Sequence, residues 1–148
     1  MPFHFKLEPV LTVRQNIEEQ FQFRLAREQM ILNGHKMRLV ELETRRQEII
    51  ADFEELKKQP LTGARFGYFM DSIRIKEEQI RIQENTVSSQ EQVVEAARRK
   101  LTKAMQQRKI VEVIREKQLQ DYLFDLRKKE ESENDEQVVL RHGRGSRL

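Results

Sequence analysis

The chain has 148 residues, 36% of them charged, 37% hydrophobic and 7% aromatic, with no Trp and no Cys. This excludes an ordinary compact core, because ordering each residue costs roughly 1–2 kcal/mol that bulky apolar side chains must offset; it is the balance of long helices buried along a narrow stripe. The 28 basic and 25 acidic residues leave a net charge of only +3, interspersed in sign, which argues against nucleic acid as a partner, and the lack of cysteine excludes disulfides and thiolate chemistry.

At the start, Met1-Pro2-Phe3-His4-Phe5-Lys6 lacks the long apolar stretch of a signal peptide. No later run approaches the roughly 20 apolar residues that cross a bilayer. An intracellular protein without direct membrane insertion is expected. Pro9 suits a first helical turn, where its missing N–H costs nothing. From Leu25 the heptad positions a and d fall on Leu25, Glu28, Leu32, His35, Leu39, Leu42, Arg46, Ile49, Phe53 and Leu56. Most are apolar, at alternating steps of three and four, which is a coiled-coil seam. Val10, Val13, Ile17 and Phe21 continue it upstream with a small phase slip. The first helix is therefore expected over about 9–58. Asn33-Gly34 is a turn-prone dipeptide, yet the heptad phase crosses it without a shift, so one continuous, locally soft helix is expected.

Gln59-Pro60-Leu61-Thr62-Gly63-Ala64-Arg65-Phe66-Gly67 holds a proline and two glycines. It predicts a turn over about 59–67, short enough to lay the flanking helices antiparallel. The second helix, expected over about 68–132, repeats through Ile73, Ile80, Val87, Val94 and Leu101. Its alternate seam positions are weaker: Lys76, Gln83, Gln90, Ala97, Ala104 and Val111. At about 1.5 Å per residue the helices would run roughly 75 Å and 100 Å, leaving the second to overhang. The acidic and glycine-bearing tail, about 133–148, loses periodicity and is expected to be disordered. The fold class is all-α: two long helices in a single antiparallel coiled-coil hairpin.

Little chemistry is legible. No phosphate loop, zinc-binding His-Glu-x-x-His or nucleophile elbow is present, and a two-helix coil has no interior to desolvate a catalytic carboxylate. No enzyme activity, cofactor or metal is expected. His4, His35 and His142 lie far apart, and His35 reads as a polar spacer in the seam. Glu18-Glu19, Glu54-Glu55 and Glu77-Glu78 are adjacent pairs that splay around a helix. The cluster Arg98-Arg99-Lys100, Lys103, Arg108 and Lys109 has two readings: charge balance against Glu18, Glu19 and Glu28, or a docking surface for an acidic partner. Ile75, Ile82 and Val93 form a thin column opposite the seam, either scattered surface residues or the seat of a partner helix.

The opening Phe5-Lys6-Leu7-Glu8-Pro9-Val10-Leu11-Thr12-Val13-Arg14 resembles the Phe-x-Leu-x-x-Val-Leu-x-x-Arg opening of the FliJ family of flagellar export stalk proteins. The central break, Tyr68-Phe69-Met70 at the start of the second helix and the late Asp135-Glu136 follow the same order. The resemblance implies a component of the bacterial flagellar type III protein export apparatus, tied to flagellum biogenesis and so to chemotaxis. It implies a cytoplasmic protein held at the cytoplasmic face of the cell membrane at the basal body. Its implied partners are the export ATPase hexamer, entered by the end bearing both termini, the membrane-embedded export gate and the export chaperones. Gate contact is implied at Phe69, Ile73, Lys76 and Ile80, and more weakly at Leu42 and Ile49. Lys76 stands where the family carries a small residue, and Ile80 where it carries a more polar one. A stalk of a virulence-type secretion ATPase and a generic coiled-coil scaffold are the alternatives.

Overall fold

The computed structural model describes residues 2–145. It contains two helices, α1 (Glu8–Leu56) and α2 (Gly63–Gly145), packed against each other as an antiparallel coiled-coil hairpin. The chain divides into two compact units. A terminal unit joins Met1–Glu18 to Lys103–Leu148, and a turn unit spans Glu19–Thr102.

The start of α1 is set locally. The Glu8 N–H donates to the Phe5 carbonyl at 3.1 Å, and the Glu8 carboxylate sits in the first turn, where the helix dipole favours an anion. At the other end the Gln59 N–H reaches the Leu56 carbonyl at 3.2 Å, a tighter three-residue closure, and Pro60 prevents continuation. The expected helix through Asn33-Gly34 is present without interruption.

In the turn unit the seam follows the expected heptads. Leu32, Val87 and Val94 form a buried cluster with Leu25 and Leu39 packed against it. Leu42, Ile49, Phe53 and Ala97 are also buried. The opposed pairs run in reverse order along the two helices: Glu28 meets Gln90, His35 meets Gln83, and Arg46 meets Glu77. Near the turn, Phe53 packs against Phe66 and Phe69, with ring centroids 5.7 and 5.5 Å away.

The terminal unit uses a different core. Phe5, Leu11 and Val111 form a buried cluster flanked by Phe3, whose ring lies 5.6 Å from Tyr122. Buried Glu18 accepts from Arg108, which also donates to Glu112 at 2.7 Å. Arg14 donates to Gln107 at 2.9 Å.

Both expected boundaries of the second helix move. α2 begins at Gly63, inside the stretch read as turn, because Thr62 caps it: its hydroxyl accepts from the Arg65 N–H at 3.2 Å. Such a cap stabilises by about 1 kcal/mol, comparable with the cost of one helical glycine, and Phe66 and Phe69 add packing on Phe53. At the far end α2 continues through Gly145, past the expected limit near 132. Glu130 to Arg141 contains no proline or glycine, so nothing local stops the helix although its side chains are exposed. The last residues of the expected disordered tail, 146–148, lie outside the described residues.

Candidate protein-docking surfaces

A two-helix seam leaves a groove on each side, and in the turn unit the two grooves differ. One is lined by Arg45, Ile49, Asp52, Tyr68, Phe69, Ser72, Ile75 and Lys76. Further along the same side lies a shallow groove with His35, Ile82, Thr86, Ser89 and Val93 in its walls. These are mainly c and g positions of the heptad, the edge that faces the corresponding edge of an antiparallel partner. The other side is lined by Val40, Glu43, Arg46, Glu77, Ile80 and Glu84, mostly e and b positions, and it is richer in acid.

The implied gate-contact residues do not share one surface. Leu42 and Ile49 are buried in the seam, while Phe69, Ile73, Lys76 and Ile80 are half-buried. Ile49, Phe69 and Lys76 come together along the first groove, whereas Ile80 lines the opposite one. Arg45 and Tyr68, which also line the first groove, are not among the implied contact residues. The signal for them was available in their c and g heptad positions. The column of Ile75, Ile82 and Val93 is exposed.

The basic cluster divides. Arg108 is committed to Glu112 and Glu18, whose hydrogen bonds raise its guanidinium above the ordinary arginine value. Arg98 pairs with Glu95 of its own helix at 3.0 Å. Arg99, Lys100, Lys103 and Lys109 form no ion pair among the described residues. On the exposed surface of α2, Glu78 is held below the ordinary carboxylate value, first by its hydrogen bond from Arg81 and then by that residue's charge.

The terminal unit carries its own apolar surface. Ile110, Val113 and Ile114 project from α2 with Gln106 and Lys109 around them, and Val10 and Val13 of α1 are exposed. Beyond Tyr122, α2 presents Phe124, Val138, Val139 and Leu140 to solvent. Among the described residues no group of three His, Asp or Glu side chains could hold a metal ion. No helix among them is long and apolar enough to cross a membrane. The arrangement offers surfaces for other proteins.

These features define a helical-hairpin coiled coil with exposed docking faces. The chain matches the family described as Flagellar FliJ protein over residues 3–147, and it belongs to that family. No curated protein matches it. Among solved structures it is similar to CT670 from Chlamydia trachomatis, described as a YscO homologue, at 20% identity and a TM-score of 0.57, covering 99% of each chain. At that identity the likeness speaks for the fold alone.

Proposed function

We propose that this protein is a non-enzymatic stalk of the flagellar type III protein export apparatus, cytoplasmic and held at the membrane face of the basal body. Its terminal unit inserts into the export ATPase hexamer, and the start of α2 contacts the export gate. Export chaperones are its third class of partner. The observation that carries this reading is the family match over residues 3–147. The terminal unit supports it. Ile110, Val113 and Ile114 are exposed there, as is α2 from Leu123 to Gly143, and these are surfaces that a surrounding ring of subunits would cover.

For the gate, Phe69 and Lys76 are the reachable members of the implied set, with Ile49 beneath them in the same groove. Leu42 would act only by supporting the seam. A stalk of a virulence-type secretion ATPase is the second reading, favoured by the fold shared with the Chlamydia YscO homologue. The test is ATP hydrolysis by the cognate flagellar export ATPase, titrated with this protein while ring assembly is followed. Stimulated hydrolysis and a stabilised hexamer are expected, together with loss of motility and chemotaxis in a deletion strain. A flagellar ATPase that ignores the protein, beside a virulence ATPase that responds, would replace the first reading by the second.

A further inference from the structure

On the c and g side of the turn unit the charges left after internal pairing are positive except for Asp52 near the turn. Arg38 is taken by Glu41 at 3.5 Å and Arg45 by Glu48 at 3.1 Å. Glu28 accepts from Gln90 at 2.6 Å, and Glu95 is taken by Arg98. Arg24 and Arg27 on α1 and Lys100 on α2 are exposed and form no ion pair among the described residues. The Glu28–Gln90 contact sets the antiparallel register. By it, Arg24 and Arg27 stand beside the stretch of α2 around Val93 and Ala96, with Lys100 about one turn further on.

From these cations an apolar floor runs toward the turn. Ile31 of α1 and Ile75, Ile82 and Val93 of α2 are each more than two-fifths exposed, and Thr86 and Ser89 keep the groove shallow between them. The floor follows the helix axis with seven residues from Ile75 to Ile82, the spacing a third helix would match with its own a and d side chains. Unpaired cations gathered at the Val93 end of such a floor favour an occupant that is acidic there.

We propose that this groove receives an amphipathic helix of a partner protein as a third strand, its apolar stripe on Ile31, Ile82 and Val93 and its acidic flank on Arg24, Arg27 and Lys100. A phospholipid surface fits less well, because the apolar residues form a narrow line and not a broad apolar face. Nucleic acid has no use for the floor. The inference does not rest on the stalk reading: it concerns the turn unit and holds whichever ATPase the chain serves.

The test uses the full chain and a synthetic helical peptide of about four heptads with Leu at a and d and Glu at e and g. A second peptide carries Lys in place of every Glu. Binding is followed by fluorescence anisotropy at about 0.1 M salt, where surface charges are screened beyond roughly 10 Å. The Glu peptide is expected to bind at least tenfold more tightly than the Lys peptide. The triple variant Arg24→Glu, Arg27→Glu, Lys100→Glu should reverse that order, and Ile82→Ser with Val93→Ser should weaken the Glu peptide at least tenfold. All five positions are exposed, so the helical circular dichroism of both variants should match the parent. Equal binding of the two peptides, or of the Glu peptide to parent and triple variant, would overturn the proposal. So would anionic phospholipid vesicles or duplex DNA that bind as tightly as the Glu peptide and displace it, because the site would then read charge alone.

Discussion

Gln83 and Gln90 occupy seam positions where leucine would bury more apolar surface, and each uses its side-chain amide on the opposite backbone. Gln83 donates to the His35 carbonyl at 3.0 Å and Gln90 to the Glu28 carbonyl at 3.1 Å, with a second bond to the Glu28 carboxylate. A polar group in a half-buried seam is tolerated when its bonds are made and costly when one partner is removed. Gln90→Ala is therefore expected to destabilise by about 1–2 kcal/mol, read from urea unfolding. The double change Glu28→Leu, Gln90→Leu should be at least as stable as the parent, because both polar groups leave together. Gly34 is the converse case. Nothing lies within 4 Å of a Cβ added there, and its φ is not positive. Gly34→Ala should stabilise by about 0.5–1 kcal/mol through the helix and the unfolded chain alike, and an unchanged or lower melting temperature would contradict this account. Glu78 sets a pH dependence of known sign. Its carboxyl is depressed in the folded chain by Arg81, so its contribution is present above the unfolded carboxylate value and lost as pH falls through the folded one. Stability should decline on acidification below pH ~4, and Glu78→Gln should flatten that decline.

The helices obey their ends more than their average propensity. α1 stops where the Gln59 N–H closes on Leu56 and Pro60 follows, and α2 starts where the Thr62 hydroxyl accepts from Arg65. Thr62→Ala is expected to cost about 1 kcal/mol, and Thr62→Ser should restore most of it. Phe53, held between Phe66 and Phe69 with the Lys57 ammonium 4.4 Å above its ring, anchors the turn. Phe53→Ala removes a buried aromatic and should cost about 3–5 kcal/mol, enough to lower the melting temperature well beyond the other changes considered.

In the molecule as a whole each unit buries only its own seam, and among the described residues no side chain is wholly withdrawn from solvent. Removal of residues 133–148 takes away none of the buried positions among the described residues. Thermal unfolding of the truncated chain should match the parent, while stimulation of the export ATPase should fall if the overhanging part of α2 is the segment the ring holds. A truncated chain that stimulates fully would move that contact to Val10, Val13, Ile110 and their neighbours.

The heptad pattern by itself determined the seam. Leu25 through Leu56 and Ile73 through Val111 alternate in the order later found buried or half-buried, because a helix of fixed pitch can bury only one stripe. Pro60 with the neighbouring glycines determined that the chain reverses, and the opening around Phe5 to Arg14 pointed to the family. Three things were decided only by the tertiary structure. Thr62 became a cap because the chain direction there turned its hydroxyl onto the Arg65 N–H. Phe69 and Ile80, alike in periodicity, went to opposite grooves because antiparallel packing pairs g with g and e with e. The basic residues were sorted into paired and unpaired by register: Glu18 stands beside Arg108, while Arg24, Arg27 and Lys100 form no ion pair among the described residues. Periodicity carries information along one helix, whereas ion pairing depends on which residue of the other helix arrives opposite, and only the packed register decides that.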